Sequence, residues 1–232
     1  MPTSFVFTLP AACVNITAGE CATRARERAD MVGSAFISDA RLYEMLTESH
    51  QKLHGMLVDA LGEEYSFELA SFTTVSGQAD VAIPCSFFKL YGVDLEIGGR
   101  IVALKPFNRA ERNLYRNANS NSSVPPMYRL SGGNVTLYPI PPDGLSGQIL
   151  YAPGASPLTI STDVVSYPNG WERFIVIDTA IQMLIKEESS VTALVAERDR
   201  IIKEIEMTKE TRDLAAPKQV VDVFRPDWDE TF

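Results

Sequence analysis

His50 and His54 stand four residues apart in "ESHQKLHGM", the spacing that puts two imidazoles on one helix face as a zinc site requires. A metalloprotease helix would follow the first histidine with a glutamate as general base. Here Gln51 follows, and no third ligand is legible. His50 also falls on the apolar stripe of its helix, so it reads as a satisfied core or interface histidine. The acidic pairs Asp94 with Glu96, Glu63 with Glu64, and Glu187 with Glu188 raise the chemistry of a metal-dependent nuclease. That chemistry needs separated carboxylates converging with a lysine, and solvated surface explains these pairs better. "IGGR" and "SGGN" are glycine turns, and the chain has no G-x-S-x-G, P-loop or G-x-G-x-x-G. Cys13, Cys21 and Cys85 are an odd number in no metal-ligand spacing and read as reduced, partly buried thiols. The expectation is a protein that is not an enzyme, with no cofactor and no metal.

The elements that would position these residues follow from periodicity. Thr17 with Glu20 three residues on is a capping box, predicting a helix over about 18–31 that Gly33 ends. Ser38 or Asp39 caps a second helix, about 39–62, whose Leu42, Leu46, Leu53, Leu57 and Ala60 recur at the spacing of one buried face. Near residue 65 the period changes to that of strands. "YSFELASFTTV" alternates, and "GVDLEI", Gly98-Gly99 and "RIVAL" form the strongest hairpin signal, because a glycine pair supplies positive φ at both turn positions. "FNRAERNLYRN" reads as a short helix or loop and "NANSNSSVPP" as linker; "MYRL", "SGGN" and "VTLYPI" make another hairpin, with "GQILYAP" beyond it. Six or seven short strands at this spacing make a small antiparallel sheet, sandwich or partial barrel.

Helices then return. Asn169 with Glu172 is a second capping-box pattern, predicting a helix with apolar residues almost all round, from Trp171 and Phe174 to Leu184 and Ile185. A break near Ser189-Ser190 leads to a last helix, about 191–212, with Val191, Leu194, Val195, Ile201, Ile202 and Ile205 on one stripe and mixed charge opposite. The fold class expected is therefore α+β: an antiparallel helical bundle with a small antiparallel β domain inserted in it (helix-helix-β-helix-helix) and an extended C-terminal tail. The boundaries are an extended arm over 1–17, the bundle over 18–64 and 169–213, the inserted β domain over 65–168, and the tail over 214–232.

Composition narrows the function classes. The chain has 232 residues, 45% apolar and 22% charged, with no apolar run near the ~18 residues that span a bilayer. No basic residue precedes the apolar patch near the N-terminus, so no secretory signal is expected and the Asn15, Asn121 and Asn134 glycosylation triplets are chance matches. The net charge of −9 argues against a protein that binds nucleic acid by neutralising phosphates. The charge is uneven. Residues 36–70 are acidic, including Glu44 and Glu48, whereas residues 106–150 carry Arg109, Arg112 and Arg116. Opposite charges on one chain suit contact between identical copies, which makes these five residues the candidate subunit interface, though solvated surface alone explains them equally well. In the tail, Phe224, Trp228 and Phe232 are spaced at four-residue intervals among acidic side chains. Aromatics so placed are candidate partner-binding anchors in a segment expected to order on docking, and packing back onto the chain's own body accounts for them equally well.

Four stretches together carry a resemblance: "DMVGSAFISDARLYEMLTESHQKLHGMLVDALGEEY", "FFKLYGVDLEIGG…LKPFNRAERNLY", "YRLSGGNVTLYPIPP" and "NGWERFIVIDTAIQMLIKEESSVTALVAERDRIIKEIE". They cover most of residues 30–206 and resemble the head–tail connector (adaptor) proteins of tailed bacteriophages. The resemblance implies a structural protein of the virion neck, assembled as a homo-oligomeric ring, commonly a dodecamer, below the portal. It implies the portal protein and tail or nozzle proteins as partners, no membrane, and DNA passing through the lumen without specific binding. Two other readings stay open: a tail-completion protein one layer further down, and a small ligand-binding protein or enzyme using clefts of the β domain.

Overall fold

The computed structural model describes residues 16–108 and 125–211. A two-residue strand β1 (Ile16–Thr17) runs into helix α1 (Ala18–Arg28), and helix α2 (Asp39–Leu61) follows. The Thr17–Glu20 capping box forms as predicted, each side chain bonding the other residue's backbone N–H. Ser38 Oγ accepts from the Arg41 N–H at the start of α2. Gly62 closes α2 at φ 59°, a conformation that side chains with a Cβ rarely adopt.

Eight strands come next: β2 (Glu68–Thr73), β3 (Asp80–Ala82), β4 (Phe87–Ile97), β5 (Arg100–Ala103), β6 (Lys105–Pro106), β7 (Met127–Ser131), β8 (Asn134–Tyr138) and β9 (Ser146–Pro153). They form two four-stranded sheets, ordered β2-β9-β4-β5 and β3-β8-β7-β6. All neighbours are antiparallel except β6 and β7, a short parallel pair that no hairpin pattern could announce. Gly98 and Gly99 both take positive φ and turn β4 into β5, the hairpin their pairing predicts. Inward residues of the two sheets, among them Val93, Leu95, Tyr128, Val135, Leu137 and Ile149, make one apolar core.

The chain then returns to the helices. Leu158, Val165 and Tyr167 pack into the helical core, and β10 (Val164–Val165) pairs with β1. Helix α3 (Glu172–Lys186) and helix α4 (Thr192–Thr211) complete the order. Phe174, Ile175, Ile177, Ala180, Ile181 and Met183 of α3 are all buried, against α1, α2 and α4 together. Burial of such side chains contributes about 1.5–3 kcal/mol each, which makes α3 the axis of the bundle. Among the described residues no helix is long and apolar enough to cross a membrane. The molecule is thus α+β, with four α-helices and antiparallel sheets among the described residues.

Two expectations need correction. Asn169 does not cap α3. It sits at φ 60° inside a one-turn 3-10 helix, Pro168–Gly170, and Trp171 takes the cap position with no side-chain hydrogen bond. Glu172 therefore falls at the first helical residue, too early to reach back as a capping box does. Nor is α3 apolar all round in its surroundings. Ile185 is 61% exposed, and the buried set includes Asp178.

Candidate functional site

The seam between helices and sheets is built on α2. Its two histidines, one turn apart, point at the chain leaving β9. His54 Nε2 donates to the Pro153 carbonyl at 2.8 Å, and His54 Nδ1 lies 3.1 Å from the Tyr65 hydroxyl, from which it accepts. His50 Nδ1 donates to the Ser156 carbonyl at 3.1 Å. Around them Tyr65 stacks on Tyr167, Tyr167 meets His50 edge-on, and Phe88 of β4 meets His54 edge-on. Lys89 reaches from β4 to Asp59 of α2 at 2.7 Å, and Thr47 exchanges two hydrogen bonds with the Leu158 backbone. His54 with Pro153 and Phe88, and Lys89 with Asp59, hold the sheets against α2. His50, Thr47 and Tyr167 hold the segment that leads from β9 back to the helices.

Both ring nitrogens of His54 are engaged by protein groups, which is not how a metal ligand is held, and among the described residues no three His, Cys, Asp or Glu side chains gather as a metal site. It is His54 that is buried, while His50 lies at the margin; both are satisfied by protein partners, as expected of core or interface histidines. Burial holds both imidazoles below the usual histidine range, against the opposing pull of their carbonyl partners. The Tyr65 hydroxyl is pushed up to about 12, chiefly by burial, and the Tyr167 hydroxyl upward for the same reason.

The sign of the resulting pH dependence follows. In the unfolded chain the histidines titrate near 6.5, whereas in the fold they resist protonation. As pH falls through that value the unfolded state gains protons that the folded state does not, so the stability the seam contributes is complete above about pH 6.5 and declines below it. The melting temperature should fall more steeply between about pH 7.5 and about 5.5 in the native chain than in the His50→Asn, His54→Gln double variant. Parallel slopes would remove the histidines as the cause.

A second polar cluster binds the helices to one another. Asp178 of α3 is 2% exposed. It accepts from Ser49 at 3.1 Å, from Lys52 at 3.1 and 3.3 Å, and from Arg198 of α4 at 3.5 Å. Thr179 and Gln182 donate to Ser49 at 3.2 and 3.1 Å. Three helices meet at this carboxylate. Sequence reasoning passed over it, although a lone aspartate inside "FIVIDTAIQMLI" was a signal: a charge buried there must have partners on neighbouring helices.

Of the candidate interface residues, Glu44 is exposed on α2 and ion-paired with Arg41 at 2.6 Å. Glu48, one turn on, lies beside it along a shallow cleft with Tyr43 and Leu158. Arg109, Arg112 and Arg116 lie outside the described residues, as do Phe224, Trp228 and Phe232. Asp94 and Glu96 fall on one face of β4, and Glu187 and Glu188 on the turn that ends α3; none of these carboxylates converges with a lysine among the described residues.

What this geometry offers is a joint between two cores. A helical bundle and a β module share one chain, and their polar side chains are used to lock elements together. The chain belongs to a family of phage head–tail adaptors. The matching family is that of the SU10 adaptor protein, over residues 16–221. Comparison with curated proteins gives no match.

Proposed function

We propose that copies of this chain form a ring below the portal of a bacteriophage head, extend the DNA channel, and present the surface on which tail components dock. The observation that carries this is the family match over residues 16–221, which takes in the helices and the β module together. The net charge of −9 supports it, because an acidic channel wall repels phosphate and lets DNA slide where a basic wall would hold it. The helices would build the ring and meet the portal, and the β module would face the tail. The protein would reside in the virion neck.

Within this reading the tail is a partner-contact segment, with Trp228 as the main anchor beside Phe224 and Phe232. Large aromatics can bury ~150–250 Å² each, and repetition around a ring multiplies a weak contact through effective concentration. Arg109, Arg112 and Arg116 of one copy would face Glu44 and Glu48 of the next. Exposed pairs of that kind are worth only ~0–1 kcal/mol each and would steer assembly more than hold it. The test is attachment to filled heads. A chain lacking residues 214–232 should fold yet fail to attach, and reversing the three arginines should slow assembly at low salt. Full attachment by the truncated chain removes the tail from the contact. Crosslinks to a tail protein alone, with none to the portal, would place the protein one layer further down.

A further inference from the structure

The β4–β5 hairpin is apolar on both faces and carries opposite charge on them. Cross-strand pairs define the faces. Leu95 with Val102 and Ile97 with Arg100 share one side, while Glu96 with Ile101 and Asp94 with Ala103 share the other. On the first side Leu95, Ile97 and Leu104 form one wall of an apolar cleft of about 260 Å³, and Pro139, Ile140 and Pro142 form part of the opposite wall. An engineered cavity of ~150 Å³ takes a benzene-sized group, whereas small-molecule sites run to ~300–1,000 Å³. This cleft therefore suits a branched aliphatic side chain better than a cofactor. On the second side Ile101 is 73% exposed, the most exposed of the large apolar side chains described.

A short edge strand is normally blunted by charge or cover, because its open backbone and apolar side chains invite association. All four residues of β5 are exposed, Ile101 and Val102 among them, and β5 is an edge of its sheet. The charges are arranged for one particular occupant. The Ile101 side bears Glu96 and Asp94, and the cleft side bears Arg100. None of the three has an ion-pair partner among the described residues. A second copy of this chain would bring an aliphatic side chain flanked by carboxylates to an apolar cleft flanked by a guanidinium.

We infer that neighbouring copies stack head to tail through this hairpin, Ile101 of one copy seated in the proline-walled cleft of the next, with Glu96 meeting the neighbour's Arg100. Such a contact joins two different patches of the same molecule, so it propagates, and it closes into a ring if the rotation per step allows. The inference rests on the reading that the chain assembles as a ring, and it adds a contact between neighbouring β modules to those proposed for the helices.

Sedimentation of the full chain across its soluble concentration range tests it. Ile101→Asp should weaken self-association about ten- to a hundredfold, the effect of no longer burying one branched aliphatic side chain. Because Ile101 is already largely in water in the single copy, the variant should keep its circular dichroism, with only a small fall in melting temperature from a carboxylate placed directly opposite Glu96. Glu96→Lys and Arg100→Glu should each weaken association at low salt, and the double variant should regain it, a recovery that misfolding cannot imitate. A benzophenone side chain placed at residue 101 should crosslink to residues 137–145 of another copy. Unchanged association in Ile101→Asp, failure of the charge swap to recover, or a crosslink to residues 109–124 of the same chain would each overturn the contact. A native chain that stays monomeric at every concentration would overturn it too. The neck assignment would still be decided separately, by attachment to filled heads.

Discussion

Replacing both Lys52 and Arg198 with methionine should destabilise the bundle by about 3–5 kcal/mol, more than Asp178→Asn does alone, although either change breaks the same ion pairs. The asymmetry comes from where the partners sit. The Asp178 side chain is 3% exposed, whereas Lys52 is 53% exposed and Arg198 is 24% exposed. Without the carboxylate, both cations can turn to solvent, and the amide that replaces it still offers an oxygen to Ser49, at a cost of about 1–3 kcal/mol for imperfect pairing. Without the cations, the carboxylate stays buried between α2 and α3 with only Ser49 and Gln182 to solvate it. Methionine preserves the packing of the aliphatic stems, so the loss reports charge and not volume. Urea unfolding of the two variants side by side measures the difference. Equal losses would mean that water reaches Asp178 freely, and that the carboxylate contributes little to holding the three helices in register.

The same cluster shows what the sequence conveys and what it withholds. The start of α1 and both ends of α2 were legible because caps are local: Thr17, Ser38 and Gly62 act on residues within one turn. By contrast, α1 stops at Arg28 with Ala29 at its C-cap, short of the end at Gly33 that the sequence suggests. The β4–β5 hairpin was legible for the same reason, in two adjacent glycines. Asn169 misled because a capping box is only a pattern of residue types. The chain enters α3 from a 3-10 turn with Asn169 already left-handed, and Trp171, buried in the helical core, sets the entry angle. The parallel β6–β7 pair was not legible, and of the Asp178 cluster the sequence signals only that a buried charge needs partners, not which they are. Each depends on residues brought together from 20 or more positions apart, 126 in the case of Lys52 and Asp178. Periodicity gives a residue's face on its own element and says nothing of what stands opposite. The candidate site divides the same way: His50 is satisfied as read, yet it is His54 that the fold buries, and the partners Pro153, Ser156 and Tyr65 had no signature.

Truncating Phe174 to alanine should cost about 3–5 kcal/mol, and the loss should fall on the helices before the sheets. Phe174 has no exposed surface and stands in a core made of α1, α2, α3 and α4 with Leu158, Val165 and Tyr167. None of the residues of the sheet core, such as Val93, Leu137 or Ile149, belongs to that cluster. The two cores touch through the seam: His54 to Pro153, His50 to Ser156, Lys89 to Asp59, and Phe88 against His54. Those are a few hydrogen bonds worth about 0.5–1.5 kcal/mol each and one half-exposed ion pair, less than either core's own burial. A cavity under Phe174 should therefore open the bundle at a free energy that leaves the sheets intact. Hydrogen exchange can see this directly. Amides of α2 and α3 should lose protection in Phe174→Ala while those of β4 and β9 keep most of theirs. Uniform loss across both cores would mean the seam is strong enough to make the chain one cooperative unit. For an adaptor the distinction has a consequence. If, as proposed, the β module faces the tail and the helices meet the portal, a module that stays folded while its bundle loosens can be seated on one partner while the helices are still finding the other. A single cooperative unit must dock on both with its shape already fixed.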